Sequence, residues 1–317
     1  MLKKLKQKVI ISVVIAGVLY LAFTIYADFT QVINAFGNFN LLLLPLLLFL
    51  SFLNYFTRFL KWDYYLSVVK VKMKKIDSLS TFMSGLIMSV TPAKLGEVLK
   101  SVLVKEITGE PISKTAPIIL AERVTDFLSL LLIAIAGAYV FNYGGNITII
   151  VAVFFVILII IISNKKIALP IINLSERIPL IKKYIHNIHS AYESSYQLLK
   201  LKPLILMTIL SLISWGFECL GYYFILVNFD VDFGLLWASF SYSFSTIIGA
   251  ISMLPGGLGL TEGSLTYLLM EKGITADISV ATTFIVRAVT LWFAVLVGIV
   301  SLSFYQRRFG KIKIESV

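Results

Sequence analysis

Two short interruptions decide how this chain folds: Thr91–Glu97 (TPAKLGE) and Leu254–Glu262 (LPGGLGLTE). Each lies in the middle of a long apolar segment, Ile76–Glu106 for the first and Leu235–Lys272 for the second. Proline removes a backbone donor and disfavours helix in the residue before it. Both segments are therefore predicted to be helices that break near their centres.

The rest of the chain is too apolar for water to be its main solvent. Of 317 residues, 58% are hydrophobic and 14% are charged, whereas soluble domains carry about a quarter charged residues. We expect an all-α polytopic membrane protein with about six full transmembrane helices plus two re-entrant helical hairpins at the interruptions, since a helix crosses a bilayer with ~20 residues. The runs predicted to cross are Val9–Tyr26, Leu41–Leu60, Thr115–Phe141, Ile147–Ser163, Leu204–Val227 and Ile278–Phe304.

The positive charge is distributed as a membrane topology requires. The net charge is +11, and Lys and Arg crowd into the two tails and into 58–75 and 165–202, whereas 28–40, 142–146 and 228–234 contain neither. Because cytoplasmic loops carry the excess of Lys and Arg, we predict a multi-pass protein of the cell (plasma) membrane with both termini in the cytoplasm. The same distribution explains the net charge without a nucleic-acid partner.

The two interruptions belong to halves that resemble each other in sequence. Pro92-x-x-Leu-Gly-Glu97 is echoed by Pro255-x-x-Leu-Gly-x-x-Glu262, and Arg123 and Arg287 follow these prolines by 31 and 32 residues. With the opposite orientations that the charges assign, this predicts an inverted repeat, a recurring plan of secondary transporters. We divide a single integral membrane domain, 1–317, into an N-terminal helix 1–37, a first half 38–145, a connecting span with a cytoplasmic interfacial helix 146–202, a second half 203–306 and a cytoplasmic tail 307–317.

Ionisable residues inside apolar segments are costly and are therefore functional candidates. After each proline a half-helix begins, and its free N–H groups and positive dipole end favour an anion. Glycines in the second interruption allow close backbone approach, and Glu218 is a further intramembrane carboxylate. A structural set of ion pairs joining helices is the alternative interpretation. The predicted substrate-binding residues are Lys94, Glu97, Glu122, Arg123, Asp126, Gly256, Gly257, Glu262 and Arg287.

No cofactor, metal site or disulfide framework is indicated by the composition. Cys219 is the sole cysteine, and His186 and His189 are the only histidines. Because no third ligand lies near this HxxH pair, we interpret it as part of a solvated interfacial helix.

The motifs also resemble a known family. Residues 92–97 (PAKLGE), 121–126 (AERVTD), 254–262 (LPGGLGLTE) and Arg287 are similar to the flippase-like membrane domain of lysylphosphatidylglycerol synthases, which has stand-alone members. The resemblance covers most of the chain and implies movement of a lipid with a polar head group between leaflets. Those synthases continue into a soluble aminoacyl-transferase domain, and this sequence stops at Val317, so we expect no lipid aminoacylation. The site residues that the resemblance implies are Glu97, Glu122, Arg123, Asp126, Glu262 and Arg287.

The expected function is therefore a flippase-like transporter, not an enzyme, that moves an anionic or phosphate-linked lipid through a central site. The expected partner is that lipid, with a second copy of the chain or a lipid-modifying enzyme as protein partners. Two alternatives stay open. A membrane-embedded transferase with a lipid-phosphate donor needs a base or metal carboxylates, for which Glu122 with Asp126 is the candidate pair. A non-transporting scaffold would tolerate loss of the central charges.

Overall fold

A computed structural model describes residues 2–91, 96–175 and 185–310, and every regular element in these ranges is a helix. The helices are α1 (Leu2–Tyr26), α2 (Phe29–Asn38), α3 (Leu44–Val68), α4 (Lys75–Gly85), α5 (Leu99–Thr108), α6 (Ile112–Phe141), α7 (Gly145–Ser163), α8 (Lys165–Ser175), α9 (Ile185–Leu198), α10 (Leu201–Asn228), α11 (Gly234–Ile251), α12 (Leu260–Glu271), α13 (Ala276–Arg287) and α14 (Phe293–Phe309). Short 3-10 turns cover Leu41–Leu43, Leu86–Val90 and Pro255–Gly257, and a π turn covers Ala288–Trp292.

The predicted class, an all-α polytopic membrane protein, is confirmed. Among the described residues, five helical stretches are long and apolar enough to cross a membrane, and the bent pair of α1 and α2 would make a sixth span. The α7 helix is apolar over Thr148–Ser163 but shorter than these stretches. The five stretches are Leu41–Val68, Ile112–Phe141, Leu201–Asn228, Gly234–Ile251 and Ala276–Phe309.

The segment 28–40, which lies between the predicted spans Val9–Tyr26 and Leu41–Leu60, is mostly helical. Asp28 Oδ1 accepts the N–H groups of Thr30 at 3.0 Å and Gln31 at 3.4 Å, so this polar residue starts a new helix by capping its free donors. The α2 helix then runs at 98° to α1 and buries Val32 and Ala35. The stretch between the two predicted spans is therefore a packed element.

Both helix interruptions lie where the prolines predicted them. Helical backbone ends at Val90 and resumes as α5, and it ends again after α11 and resumes as α12. Residues 92–95, with the predicted site residue Lys94, lie outside the described part of the chain. Because α11 is itself long enough to cross a bilayer, the assignment of re-entrant hairpins stays a prediction, as do the inverted repeat and its domain boundaries.

Close helix contacts surround the two interruptions, and the turns Leu86–Val90 and Pro255–Gly257 contact each other. The α3 helix packs against α10, α6 packs against α10 and α11, and α14 packs against α4 and the turn Leu86–Val90. Gly298 allows the last contact, because a Cβ atom there would lie 2.2 Å from Ile87 N. A helix is present in the predicted connecting segment as α9, which packs against α6 and buries Ser194 and Leu198; its location at the membrane interface stays a prediction.

Candidate functional site

Seven charged side chains meet where α3, the start of α5 and α6 pack together, and we call them the first charge cluster. Six are buried, and the Arg123 side chain is 21% exposed. The members are Arg58 and Lys61 of α3, Glu97 and Lys100 at the first interruption, and Glu122, Arg123 and Asp126 of α6.

One half of the first charge cluster is organised by Lys100. Its Nζ atom lies 2.5 Å from Glu122 Oε2 and 3.5 Å from Glu97 Oε2, and it also lies 4.8 Å from the ring centre of Trp62. Arg123 donates to the other oxygen of Glu97. Glu97 is thus held between a lysine and an arginine, which joins the start of α5 to α6.

The other half is organised by Asp126. Its Oδ1 atom accepts from Lys61 Nζ and, at 3.0 Å, from Ser211 Oγ of α10, while Arg58 Nη2 lies 3.6 Å from Oδ2. Lys61 also donates to Ser211 Oγ at 2.7 Å and to Thr125 Oγ1 at 3.2 Å. Three helices are therefore tied together by one buried carboxylate and its donors.

A second, smaller site surrounds Glu262 on α12, and we call it the second ion pair. Arg287 Nε donates to Glu262 Oε1 at 2.6 Å, and the same guanidinium donates through Nη2 to the Gly256 carbonyl. Tyr20 of α1 donates to Glu262 Oε1 at 3.3 Å and accepts from Trp292 Nε1 at 3.1 Å. The pair thus links α1, α12, α13 and the second interruption.

The N-terminus of α12 carries a carboxylate of its own helix. The Gly259 N–H group donates to Glu262 Oε2 at 2.7 Å, so this carboxylate accepts one of the free donors at the helix end. Glu262 is therefore placed to balance the positive field there.

A cavity of about 90 Å³, lined by charged, polar and apolar side chains, lies between the two sites, and we call it the chamber. Arg58 lines it from the first charge cluster and Arg287 from the second ion pair. Glu218 also lines it, and this carboxylate accepts the Tyr242 hydroxyl at 2.6 Å. The wall is completed by Ser89 of the turn Leu86–Val90 and by Gly256 and Gly257 of the second interruption.

A larger and mostly apolar crevice of about 510 Å³ adjoins the chamber. It lies between α6, α7, α10 and α11, and its lining includes Phe127, Phe154 and Phe155, with Arg123 and Asp126 among the few charged side chains. The two cavities have several wall residues in common, namely Trp215, Thr246, Gly249, Ala250, Gly256 and Gly257. A polar space and an apolar space therefore meet at one boundary.

The structure brings together most of the predicted site residues, but in two groups. Glu97, Glu122, Arg123 and Asp126 lie in the first charge cluster; Gly256, Glu262 and Arg287 form the second ion pair with its carbonyl partner; and Gly257 lines the chamber. Their role in substrate binding stays a prediction.

Sequence reasoning missed three buried cations. Arg58 and Lys61 lie three residues apart in α3 and therefore share a helix face, a signal that was available once this apolar run was followed to Val68. Lys61 was assigned to the cytoplasm, yet it is completely buried. Lys100 lies one turn after Glu97, an i, i+3 pair that was equally visible.

The candidate base of a transferase is engaged in ion pairs. Glu122 contacts Lys100, and Asp126 contacts Lys61, so the two carboxylates face different lysines although they are four residues apart on α6. In the part of the chain that the structure describes, no three His, Cys, Asp or Glu side chains are grouped so that they could hold a metal ion.

These features define a multi-pass helical membrane protein with buried ion pairs around two helix interruptions. The family model described as the lysylphosphatidylglycerol synthase TM region matches residues 9–298, and the chain belongs to this family. It is 29% identical over 234 residues to the UPF0104 membrane protein MJ1078 of Methanocaldococcus jannaschii, covering 70% of this chain and 95% of that protein. It is also 29% identical over 118 residues to the UPF0104 membrane protein PH1989 of Pyrococcus horikoshii, covering 37% of this chain and 35% of that protein.

Proposed function

We propose that this protein is a flippase-like transporter, without covalent chemistry, that moves an anionic or phosphate-linked lipid between the leaflets of the cell membrane. The observation that carries the proposal is the junction of chamber and crevice. Two guanidinium groups, Arg58 and Arg287, line a polar cavity that shares a wall with an apolar one. A lipid has the same two parts, a charged head and a hydrocarbon chain. We place both termini in the cytoplasm, following the distribution of Lys and Arg.

The arrangement of charge supports passage of an ionic head group. A charge in hydrocarbon costs several kcal/mol unless it is paired. Among the described residues of the two sites and the chamber, five basic side chains stand against five acidic ones, and all but Arg123 are buried. A phosphate oxygen that replaces a carboxylate on an arginine would keep both charges paired during transfer, since guanidinium groups bind either anion. The ten residues are Arg58, Lys61, Lys100, Arg123 and Arg287 against Glu97, Glu122, Asp126, Glu218 and Glu262.

The turn just before the first interruption reaches the chamber through Ser89, and the second interruption reaches it through Gly256 and Gly257. Broken helices that meet at a central site are typical of secondary transporters, which rock one half against the other to alternate access. We propose the same use of the two halves here. The lipid of this site need not be a lysyl lipid, because the proposal rests on the chamber and crevice alone.

The test is lipid translocation in proteoliposomes. The purified protein is reconstituted with labelled phospholipids and polyprenyl phosphates, and head-group accessibility is followed over time. Glu262→Gln and Arg287→Ala are expected to abolish movement while the protein stays folded. Glu193→Gln on α9 is the matched control, because that carboxylate is exposed and pairs with Lys165 at the surface. Unchanged transport by both variants would remove Glu262 and Arg287 from the mechanism.

The same preparation separates the alternatives. Turnover of a labelled donor lipid in detergent, where no membrane sidedness exists, would identify a transferase. Absence of movement for every lipid, with cellular function retained after the central charges are neutralised, would identify a scaffold.

A further inference from the structure

A groove of about 870 Å³ lies between α3, α4 and α14, and we call it the α4 groove. It has no wall residue in common with the chamber or with the crevice. Most of its wall is apolar, and several of these side chains are exposed, among them Phe52, Leu296 and Phe304. The transport path proposed above does not use this surface.

The two ends of the α4 groove differ in charge. Arg307 and Arg308 line one end, where Arg308 Nε lies 3.0 Å from Asp77 Oδ1 at the start of α4. Phe293 lines the other end, and its ring centre lies 5.9 Å from that of Tyr55 in the middle of α3. The groove is therefore basic at one end and aromatic at the other.

The apolar part of the groove has the length of one leaflet. Phe293 and Phe304 both line it and are 11 residues apart on α14, which corresponds to ~17 Å along a helix that rises about 1.5 Å per residue. Half of the ~30 Å hydrocarbon core of a bilayer is ~15 Å. Arg307 follows Phe304 by three residues. When the apolar part lies in hydrocarbon, this arginine therefore lies at the depth of the lipid head groups.

A serine in the apolar part of the groove has its hydrogen bonds within the protein. The Ser301 hydroxyl donates to the Ser80 carbonyl at 3.1 Å and accepts from Ser84 Oγ at 3.4 Å. These contacts join α14 to α4. A hydrocarbon chain that covers the Ser301 hydroxyl leaves these hydrogen bonds intact, so it does not incur the cost of an unpaired polar group.

The basic end of the groove is complementary to an anionic head group. Asp77 offsets the charge of Arg308, and among the described residues Arg307 forms no salt bridge. Arginine near a membrane surface attracts anionic lipids, and a guanidinium binds phosphate oxygens through two parallel N–H groups. A zwitterionic lipid has the phosphate but also an amine whose positive charge cancels that of the phosphate.

We propose that the α4 groove binds one anionic glycerophospholipid, with its head group against Arg307 and Arg308 and an acyl chain along Phe304, Leu296 and Phe293. With the orientation proposed above, this lipid belongs to the cytoplasmic leaflet. A partner helix would need an acidic side chain at the depth of Arg307, whereas an anionic lipid has its phosphate there already. Because the groove shares no wall with the chamber or the crevice, this lipid is a ligand of the scaffold and not the transported substrate.

Photocrosslinking tests the location and the selectivity together. The detergent-purified protein is incubated with a phosphatidylglycerol that carries a diazirine in its acyl chain, illuminated and digested, and labelled peptides are identified by mass spectrometry. We expect label within 293–304 that unlabelled phosphatidylglycerol displaces at a concentration at least fivefold lower than phosphatidylcholine with the same chains. This factor corresponds to the ~1 kcal/mol by which one arginine near a membrane surface attracts an anionic lipid. Equal displacement by the two lipids would overturn the inference.

Arg307→Gln tests the head-group contact. Its matched control is Lys202→Gln, at another exposed basic residue, near the start of α10. Arg307→Gln should weaken displacement by phosphatidylglycerol about fivefold and leave displacement by phosphatidylcholine unchanged, and Lys202→Gln should change neither. Equal effects of the two variants would mean that the general surface charge attracts the lipid, and would overturn the inference.

Val300→Trp tests the groove by filling it, because Val300 is an exposed wall residue. We expect labelling of 293–304 to fall at least fivefold. Unchanged labelling in a folded variant would place the lipid outside the groove and overturn the inference. A dimer in detergent that Val300→Trp dissociates, without lipid label at 293–304 in the unaltered protein, would place a second copy of the chain in the groove instead. Labelling does not depend on transport, so its result stands whether or not the protein moves lipids.

Discussion

The two halves of this protein each contain a glutamate at an interruption and an arginine about 25 residues later, yet the two pairs differ in their surroundings. Glu97 and Arg123 are 26 residues apart, and Glu262 and Arg287 are 25 residues apart. The first pair belongs to a group of seven charges, in which Lys100 also contacts Glu97. The second pair has backbone partners instead, Gly256 O for the arginine and Gly259 N for the glutamate.

This difference indicates that the two pairs have different structural roles. The first charge cluster joins α3, α5, α6 and α10, and its charged side chains each contact more than one partner in most cases. When one contact is removed, the remaining ion pairs can therefore still form. The second ion pair positions Arg287 at the chamber wall and fixes the start of α12 and the loop before it. Its Glu262 side chain is completely buried, and the Arg287 side chain is 9% exposed. In the second ion pair, loss of either side chain therefore leaves the other buried without its charged partner.

The largest expected effect is that of Arg287→Met. The substitution leaves the Glu262 carboxylate buried without its guanidinium, and breaking a buried pair costs about 3–5 kcal/mol. We expect the free energy of unfolding to fall by that amount in detergent–SDS titrations. Arg307→Met, at an exposed arginine near the end of α14, is the control and should leave the free energy unchanged. A loss below about 1 kcal/mol for Arg287→Met would show that other contacts compensate for the lost guanidinium in the second ion pair.

Arg123→Met should destabilise less, by about 2 kcal/mol, because Glu97 keeps Lys100 at 3.5 Å and a buried charge is costly only when it is left without a partner. The Arg123 side chain is also 21% exposed, so water reaches the site. The same unfolding titration measures it, beside Arg287→Met.

A double-mutant cycle sharpens this comparison. In Arg123→Met/Lys100→Met, Glu97 loses both cationic partners, so the combined loss should exceed the sum of the single losses by at least about 1 kcal/mol. Additive losses, within about 0.5 kcal/mol, would mean that the two cations do not share Glu97 energetically.

A third effect, of about 1 kcal/mol, is expected for Gly256→Ala. Gly256 has φ of 60°, a left-handed conformation that costs an L-residue about 1–2 kcal/mol, and a Cβ atom would lie 3.1 Å from Leu291 Cδ2. Gly216→Ala is the matched control. It lies inside α10 with open space at its Cβ position, so the substitution should stabilise by up to about 1 kcal/mol. Equal unfolding midpoints for the two variants would show that the positive φ at position 256 does not require glycine.

Features that depend on local sequence could be predicted. Proline positions and the lengths of apolar runs determine where helices break and cross, so both interruptions and the membrane class followed from the sequence. Arg123 and Arg287 were predicted from their matching distances to the prolines. That each arginine binds the glutamate of its own interruption required the structure, because helix packing decides which of several nearby carboxylates lies within reach.

Features that depend on packing across the chain could not be predicted. Lys61 lies near a basic segment, and the positive-inside rule assigned it to the cytoplasm; its partners Asp126 and Ser211 are 65 and 150 residues away. The chamber is formed by α3, α10, α11, the turn before the first interruption and the second interruption together, and no periodicity within one helix indicates that arrangement. The contact of Glu262 with the Gly259 N–H group, by contrast, is an i, i+3 pattern that is visible in the sequence.

The smallest effect is expected for the surface pair of Glu193 and Lys165. Like the buried pairs it joins a carboxylate to a basic group, but both of its side chains are exposed. Their distance is 2.7 Å, yet both side chains are more than two-fifths exposed, so water and salt screen the attraction. The Lys165 ammonium donates a hydrogen bond that lowers the pKa of Glu193 below its ordinary value. Any stabilisation is therefore present at neutral pH and is lost as the pH falls through this lowered pKa. Glu193→Gln should leave the unfolding midpoint at pH 7 unchanged, measured beside Arg287→Met. A loss comparable to that of the buried variant would show that burial is not what separates the pairs.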